Sequence, residues 1–385
     1  MKTVCSTSMP LVREAFETLG DVVIRDGRAI GPADVRDAEL LAIRSTTRVD
    51  RGLLEGSAVR FVGTATIGTD HMDLPYLEQA GIRWCFAPGC NANSVSEYVT
   101  AALLCLAGRR GLCLEGKTLG VIGVGNVGRL VVEKAHTLGL RVLANDPPRA
   151  RREGLAGFVE LQTVLAESDI VTFHVPLTRE GPDATAHMAG RALFERLKPG
   201  CIFLNAARGA VVDTDALLFA LDRGIVAHAV IDTWEGEPRY RVALLDRVDL
   251  GTPHIAGHSF EGKVMGTVMV YREACAFLGR PAVWTPDDLL PAPQVPDVRV
   301  DAAGRGDEEV LRELVRQVYD IEGDDHRLRA CREGPERCAA HFDALRRHYP
   351  ERREFRFTRV HLRNASETLA HKVAGLGFKL SGRQG

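Results

Sequence analysis

The chain has 385 residues, of which 45% are hydrophobic and 26% are charged, as in ordinary globular proteins of two or three domains. Its formal net charge of −2 gives no global reason to expect binding to nucleic acid or to a membrane surface. The chain does not open on a basic stretch followed by an apolar run, and it lacks the ~18 consecutive apolar residues of a membrane span. Neither a signal peptide nor a membrane segment is therefore predicted.

Cysteine usage indicates a reducing environment. The nine cysteines are scattered, with no CxxC pair and no histidine at metal-ligand spacing. Such a set without a secretion signal is typical of free thiols, so we predict a cytoplasmic protein. Asp70, His71 and Asp73 are the one group that suggests a metal, but a turn with Asp73 as a helix cap explains them better. No metal is predicted.

From residue 2 to about 95, short apolar runs alternate with helical patterns. The strand candidates are residues 22–24, 40–43, 60–63 and 82–86, and the helical patterns are residues 10–19 and 74–80. This βαβα rhythm predicts a parallel sheet with helices on both faces. Residues 93–107 then form one long, largely apolar helical pattern, which we expect to be buried.

The rhythm begins again at Lys117. The predicted strands are residues 119–122, 141–144, 170–173, 201–204 and 229–231, and the predicted helices are residues 126–138, 213–221 and 259–278. Five prolines between residues 281 and 296 predict a surface linker. Beyond it, helices over 308–319, 335–345 and 367–376 and a strand over 355–362 predict a small α+β domain.

The predicted fold class is α/β, with two Rossmann-like, doubly wound parallel-sheet domains and a small α+β C-terminal domain. We place a substrate domain at residues 1–95, completed by residues 258–285. The nucleotide-binding domain is placed at residues 96–257, and the C-terminal domain at residues 286–385.

A glycine fingerprint follows the strand predicted at residues 119–122. Gly123 permits a tight turn, Gly125 lets the backbone approach a pyrophosphate, and Gly128 lets the next helix pack against the strand. Asn126 and Val127 lie at the start of that helix, where free N–H groups and the helix dipole favour an anion. With a strand before it and a helix after it, the turn predicts a dinucleotide site.

The residue expected at the ribose is Asp146, which ends the next predicted strand. A carboxylate there accepts hydrogen bonds from ribose hydroxyls and repels a 2′-phosphate, so NAD is favoured over NADP. Arg149, Arg151 and Arg152 lie nearby and leave NADP as the alternative, since arginines accommodate that phosphate.

Three polar residues follow strands in the nucleotide-binding half and suit the oxidation of a 2-hydroxy acid. His254 has the side chain to take the hydroxyl proton, and Glu237 would stabilise its protonated form and fix its tautomer. Arg208 would bind the substrate carboxylate through two parallel hydrogen bonds. Each alone has an ordinary explanation, such as a surface arginine or a capping histidine. Together, behind the glycine turn, they predict a dehydrogenase site.

These motifs resemble the D-isomer-specific 2-hydroxyacid dehydrogenase family over roughly residues 35 to 280. The resemblance is strongest with the branch of the family that oxidises 4-phospho-D-erythronate, and it then spans nearly the whole chain. The segments that carry this narrower resemblance are residues 44–47, 61–66, 68–73, 87–91, 97–99, 146–149, 289–293 and 349–353. The C-terminal extension is similar to the dimerisation domain of that branch, which implies a homodimer.

The resemblance implies NAD-dependent oxidation of 4-phospho-D-erythronate to (R)-3-hydroxy-2-oxo-4-phosphooxybutanoate, on a route to pyridoxal 5′-phosphate. It implies that Arg208 and Glu237 are active-site residues and that His254 is the proton carrier. The cofactor contacts that it implies are Asp146, Val175, Ala206, Ala207, Arg208, Asp232 and Gly257. The substrate contacts that it implies are Ser45, Thr66 and the position of His258.

This chain departs from the pattern of the branch at three places. Residues 5–8 replace an acidic segment, Val175 replaces a threonine near the cofactor, and His258 replaces a substrate-binding tyrosine. We still expect the phosphorylated substrate, because a histidine can also donate a hydrogen bond to a phosphate.

The substrate phosphate needs a cation at the far end of the site. Arg44, beside Ser45, is the first candidate. The second is the basic cluster of the tail, which would lend an arginine to a neighbouring active site if the tail forms a dimer; its members are Arg346, Arg347, Arg352 and Arg353. A solvent-facing or interface-pairing role is the alternative for that cluster.

Two other functions remain open from the sequence. One is a different D-2-hydroxyacid dehydrogenase, of the phosphoglycerate or the hydroxypyruvate/glyoxylate type. The other is a non-catalytic NAD(H)-binding protein of the corepressor kind, which would bind NADH but turn over 2-oxo acids slowly. The chain carries no basic DNA-reading motif, which counts against the second.

Overall fold

The computed structural model describes residues 1–154 and 156–381, and the chain divides into two units. The first unit consists of residues 1–92 and 258–292, and the second of residues 93–257 and those from 293 onward. Each unit is built on its own sheet. Over the described residues, every helix is too short or too polar to serve as a membrane span.

The first unit contains a five-stranded parallel sheet in the order β2-β1-β3-β4-β5. Its strands are β1 (Lys2–Ser6), β2 (Asp21–Arg25), β3 (Leu40–Ile43), β4 (Phe61–Thr64) and β5 (Arg83–Phe86). The helices between them are α1 (Val12–Phe16), α2 (Pro32–Val35), α3 (Arg51–Leu54) and α4 (Leu74–Gln79). The parallel sheet was predicted, but β1, its second strand, was missed, because Lys2 and two hydroxyl residues interrupt its apolar pattern.

The second unit contains a six-stranded parallel sheet in the order β11-β10-β9-β8-β6-β7. Its strands are β6 (Thr118–Ile122), β7 (Arg141–Asn145), β8 (Ile170–Phe173), β9 (Cys201–Asn205), β10 (Val226–Ile231) and β11 (Leu250–Gly251). Three of them, β6, β8 and β9, are buried along their whole length, as expected for parallel strands covered on both faces.

Helices cover both faces of this sheet, and one further helix returns the chain to the first unit. They are α5 (Ala92–Arg110), α6 (Asn126–Thr137), α7 (Pro147–Glu153), α8 (Leu161–Glu167), α9 (Arg191–Phe194), α10 (Thr214–Asp222) and α11 (Val242–Leu245). Helix α12 (Phe260–Phe277) packs in the first unit, where Val270 and Tyr271 join its apolar core. As predicted, α5 is long and largely buried.

The C-terminal domain, described over residues 293–381, contains a three-stranded parallel sheet in the order β12-β13-β14. Its strands are β12 (Asp297–Asp301), β13 (Arg359–Arg363) and β14 (Lys379–Leu380), and its helices are α13 (Asp307–Val318), α14 (Ile321–Arg329), α15 (Pro335–Arg347) and α16 (Glu367–Gly375). The strand predicted to start at residue 355 starts four residues later. Phe355 instead lies in a 3₁₀ turn and stacks on Phe378, with ring centroids 4.6 Å apart.

Many helices begin at a side chain that accepts an N–H of the first turn, which is why they start where they do. Asp or Ser residues cap α3, α4, α7, α10, α12, α14 and α16 in this way. One of these caps is Asp73, which accepts the N–H of Tyr76. The helix-cap explanation of Asp73 is therefore confirmed.

A buried polar network joins α5 to the C-terminal domain. The carboxylates of Glu97 and Glu354 each accept a hydrogen bond from Asn93 Nδ2, at 2.9 and 2.8 Å. Ser94 Oγ donates to Glu354 at 3.0 Å, and the N–H of Phe355 donates to Glu97 at 3.0 Å. Burial and the neighbouring Glu354 raise the pKa of Glu97 to about 8, although the cations Lys134 and Arg352 act against the shift.

The network predicts that stability depends on pH through Glu97. Its pKa is higher in the folded chain than its ordinary value of 4.5, so the stability that it contributes is lost as the pH rises through about 8. Glu97→Gln imitates the protonated side chain and removes this loss. We expect the free energy of unfolding of wild type to fall by on the order of 1 kcal/mol relative to the variant between pH 6 and pH 9.

Urea denaturation at the two pH values measures this difference, and Glu351→Gln, at an exposed position, is the control. Parallel pH profiles for wild type and Glu97→Gln would contradict the assignment.

Candidate active site

The glycine-rich turn joins β6 to α6 and excludes side chains at two of its glycines. Gly123 has a φ of +87°, and a Cβ there would lie 2.7 Å from the carbonyl oxygen of His174. A Cβ on Gly128 would lie 2.0 Å from the carbonyl oxygen of Gly123, so only glycine lets α6 begin this close to β6. A Cβ on Gly125 would meet nothing within 4 Å, which leaves its backbone accessible. A pyrophosphate-binding turn requires this geometry.

The turn lies where the strand order of the sheet reverses. Strands β7 and β8 flank β6 on opposite sides, which opens a crevice at the carboxyl ends of β6 and β8. Asn126 and Val127 open α6 there, and Val175 follows β8. The Cγ1 of Val175 would lie 2.8 Å from a Cβ on Gly123. These residues therefore lie at the end of the sheet where a dinucleotide binds in this class of fold.

Asp146 is held against the glycine turn. It follows β7, and its carboxylate accepts the N–H of Val124 at 2.8 Å and the N–H of Arg149 at 3.0 Å. One of its oxygens therefore braces the turn while the other caps α7. The carboxylate lies at the end of the strand next to β6, where the ribose of a dinucleotide is expected.

Arg149, Arg151 and Arg152, which left NADP as the alternative cofactor, each bond to a carboxylate. Arg149 and Arg152 bond to Glu153, and Arg151 bonds to Asp183. Arg149 also donates to the carbonyl of Val124. The three guanidinium groups thus share two carboxylates, and the carboxylate of Asp146 at the end of β7 agrees with NAD.

His254 and Glu237 form a hydrogen-bonded pair. His254 Nδ1 bonds to Glu237 Oε1, and the other oxygen of Glu237 accepts the N–H of Trp234 at 3.0 Å. The glutamate thus fixes the orientation of the ring and leaves Nε2 to act on another group. His254 itself has a φ of +54°, an unusual conformation that its turn must stabilise.

Glu237 is negatively charged, as expected for a carboxylate that pairs with a histidine. Burial raises the pKa of this carboxyl, but His254, Arg346 and the N–H of Trp234 together outweigh burial and lower it. Glu237 is therefore ionised at neutral pH.

Asp232 holds the turn of residues 252–255 that contains His254, here called the histidine turn. Its buried carboxylate accepts the N–H of Ile255 at 2.7 Å and the N–H of Ala256 at 3.0 Å, and it also accepts the hydroxyl of Thr252. The resemblance to the family implied that Asp232 and Gly257 contact the cofactor. The structure shows Asp232 as part of the framework of the turn, and the cofactor contact stays a prediction.

Arg208 lies on a short loop after β9, with Ala206 and Ala207 before it. Asn205 shapes this loop, because its side chain accepts the N–H of Ala207 at 3.1 Å and donates to the carbonyl of Arg208 at 3.1 Å. The guanidinium donates to the carbonyl of Ala207 at 2.9 Å. The loop follows β9 directly, at the same edge of the sheet as the residues that follow β10 and β11.

Gly209 brings this loop into contact with the segment that carries Glu237. A Cβ on Gly209 would lie 1.9 Å from the carbonyl oxygen of Trp234 and 2.6 Å from the nitrogen of Glu235. Any other residue would push the two backbones apart. The close packing brings the loop of Arg208 against the segment that carries Glu237, 29 positions further along the printed sequence.

Arg346, one of the cluster that was considered for the site of a partner subunit, is a neighbour of Glu237 in its own chain. Helix α15 packs along the segment after Trp234, through the ion pair of Arg239 with Glu336 and through ring contact of Tyr240 with Phe342. Arg346 is one turn beyond Phe342, and its charge acts on Glu237 of its own chain. The basic cluster of the tail had been noticed, but nothing in the sequence placed it near its own Glu237.

The predicted substrate residues lie in the first unit. Arg44 and Ser45 follow β3, and Thr66 follows the adjacent strand β4, so both segments lie at one edge of that sheet. Thr66 Oγ1 donates to the carbonyl of Gly68 at 2.8 Å. Arg44 donates to the carbonyl of Ser8 at 3.4 Å. His258 opens the segment that returns the chain to this unit.

Of the group considered for a metal, His71 bonds to Thr64 Oγ1 at 2.9 Å, and burial lowers its pKa to about 4. Over residues 1–154 and 156–381, no three His, Cys, Asp or Glu side chains are arranged to hold a metal ion.

Comparison with known families agrees with the class that this geometry defines. The model of the NAD-binding domain of D-isomer specific 2-hydroxyacid dehydrogenases matches residues 105–256. A domain family of unknown function matches residues 289–377. The solved D-lactate dehydrogenase of Aquifex aeolicus, complexed with NAD and lactic acid, is 26% identical, with a TM-score of 0.60, over 72% of this chain and 95% of that one. Residues 105–256 are thus an NAD-binding domain.

Full-length relatives narrow the class. Erythronate-4-phosphate dehydrogenase of Citrobacter koseri is 46% identical over 98% of both chains. That of Azotobacter vinelandii is 47% identical over 98% of this chain and 99% of its own. The chain therefore belongs to the erythronate-4-phosphate dehydrogenase family, as the resemblance of its motifs indicated.

Proposed function

We propose that the protein oxidises 4-phospho-D-erythronate with NAD, giving (R)-3-hydroxy-2-oxo-4-phosphooxybutanoate for the synthesis of pyridoxal 5′-phosphate. The observation that carries the chemistry is the His254–Glu237 pair, on the same sheet edge as the glycine turn. The names of the full-length relatives support the substrate. The test is conversion of this substrate to its 2-oxo acid by the purified protein, followed as NADH formation with NAD⁺ or as reduction of a 2-oxo acid acceptor.

In the proposed reaction, NAD held at the glycine turn and Asp146 would supply the acceptor for the hydride that leaves C2 of the substrate. His254 takes the proton of the C2 hydroxyl on Nε2, because Nδ1 is engaged by Glu237. The negative charge of Glu237 stabilises the imidazolium that results and keeps the ring in place. In the reverse direction, the same imidazolium returns the proton to the carbonyl oxygen.

Arg208 would bind the substrate carboxylate. A guanidinium presents parallel N–H groups that match a carboxylate, and the two hydrogen bonds fix the orientation of C2 towards His254. The backbone contact at Gly209 supports this role, since it ties the Arg208 loop to the Glu237 segment. Arg44, Ser45, Thr66 and His258 of the first unit would contact the rest of the substrate.

Arg346 provides a second cation for the substrate, from the same chain. It is placed near Glu237, whereas Arg347 is exposed. We expect Arg346→Ala to raise KM for 4-phospho-D-erythronate by about 10-fold, as the loss of one hydrogen bond to a charged group costs about 1.5 kcal/mol. Steady-state kinetics measures the change, and Arg347→Ala is the matched control. Equal KM values for the two variants would exclude Arg346 from substrate binding.

The homodimer and the cytoplasmic location remain proposals. The likeness of the C-terminal domain to a dimerisation domain supports the first, and equilibrium sedimentation tests it. All nine cysteines are free thiols, which agrees with a reducing compartment.

A further inference from the structure

The C-terminal domain holds the histidine turn at both ends. Before the turn, the N–H of Gly251 donates to Asp325 Oδ1 at 2.7 Å. After it, the carbonyl of Ala256 accepts Nη2 of Arg352 at 2.6 Å. His254 lies between these two anchors, three residues after the first and two residues before the second.

The first anchor is itself fixed. Asp325 is a buried residue of α14, and its carboxylate also accepts Nε of Arg329 at 2.8 Å. Arg329 in turn donates to the carbonyls of Leu245 and Val248, at 2.6 and 2.9 Å. Helix α14 thus covers the edge strand β11, from which the histidine turn leaves the sheet.

The second anchor is an arginine with no solvent-facing role. Arg352 is buried, and its guanidinium lies over the ring of Tyr319, 4.3 Å from the centroid. The Nη2 that donates to Ala256 also donates to the carbonyl of Ser94, at 3.1 Å. One nitrogen therefore ties the histidine turn to the start of α5.

The turn needs such support. Its φ at His254 is +54°, a conformation that costs about 1–3 kcal/mol for a residue other than glycine and persists only where the surroundings impose it. Asp232 holds the N–H groups of Ile255 and Ala256 from one side, and Arg352 holds the carbonyl of Ala256 from the other. The backbone beyond His254 is thereby fixed through both its donors and its acceptor.

We propose that Arg352 and Asp325 are positioning residues, through which the C-terminal domain orients the catalytic histidine of its own chain. The inference rests on the proposed function in one respect, that His254 is the proton carrier. It gives the domain a part in catalysis that does not depend on a second subunit.

Arg352→Lys is the main test. Lysine keeps the positive charge that acts on the buried Glu97, but its ammonium cannot reproduce the guanidinium geometry over Tyr319. We expect kcat to fall about 10-fold and the Kd for NADH to change less than about threefold, because small displacements of a catalytic group are costly to turnover. Arg352→Met should lose about 100-fold. Arg299→Met, at an exposed position of β12 in the same domain, is the control.

A double-mutant cycle separates positioning from general damage. If Arg352 acts through His254, Arg352→Lys will lower kcat in the wild-type background and cause no further loss in the His254→Ala background. An equal loss in both backgrounds would overturn the inference, and so would unchanged kcat in Arg352→Lys. If Arg352→Met does not fold, the lysine variant alone decides.

The cycle also distinguishes this inference from the proposed function. If His254→Ala by itself keeps wild-type turnover, the proton-carrier assignment fails, and the positioning role falls with it. If His254→Ala is impaired and Arg352→Lys is not, only the positioning role is wrong.

Discussion

His254→Ala is expected to lower kcat for 4-phospho-D-erythronate by about 10²–10⁴-fold, the usual contribution of a positioned acid–base group. The variant loses the Nε2 that accepts the hydroxyl proton, while Glu237 keeps its bond to the N–H of Trp234. Over the described residues, the hydrogen bond of the imidazole is to Glu237 and does not involve the glycine turn or Asp146. The affinity for NADH should therefore stay within about threefold of wild type. Stopped-flow turnover and NADH fluorescence titration measure the two quantities.

His228→Ala is the matched control for this experiment. His228 also pairs with a carboxylate, that of Asp249, but it lies within β10 rather than beyond the end of a strand. It should retain wild-type kcat. Near-normal turnover by His254→Ala would remove the histidine from the mechanism, whereas loss of NADH binding would mean that the variant had disturbed the fold.

Arg208→Lys is expected to lower kcat/KM by about 10–100-fold, although the charge is kept. Lysine is a point charge and cannot make the two parallel hydrogen bonds that hold a carboxylate plane, and each such bond is worth about 1.5–3 kcal/mol. The loss should be larger for kcat/KM than for NADH affinity, because the contact is made with the substrate.

Arg196→Lys, at an exposed position near the end of α9, is the control for Arg208. A still larger loss in Arg208→Ala, with Arg208→Lys intermediate, would agree with carboxylate binding. If Arg208→Lys matched wild type in kcat/KM, the arginine would serve only the shape of its loop.

Most of the fold could be predicted because local sequence patterns determine it. The glycine turn, the largely apolar strands β8 and β9, and the long, largely apolar helix α5 are recognisable without knowledge of their partners. Strand β1 was missed, since its burial comes from neighbours on both sides rather than from its own mixed sequence. The start of β13 was placed too early, because Phe355 belongs to a core that forms only with Phe378.

The site could be predicted only in part, for the same reason. Arg208, Glu237 and His254 stand at the ends of strands, where sequence order alone suggests that they meet. The contact of Gly209 with Trp234 and the bond from Arg352 to Ala256 join segments far apart in the chain. Neither the periodicity nor the residue spacing of the sequence indicates such contacts, although these contacts set the geometry of the site.

The most direct test of the account is the ratio of kcat/KM for 4-phospho-D-erythronate to that for 3-phosphoglycerate, D-glycerate and D-lactate, measured with NAD⁺ or a 2-oxo acid as the acceptor. We expect kcat/KM to be at least about 100-fold higher for 4-phospho-D-erythronate, which corresponds to about 3 kcal/mol of differential transition-state binding. A preference for another acid would keep the chemistry and contradict the substrate. Tight NADH binding without turnover of any of the four acids would contradict the proposal that the protein is a dehydrogenase.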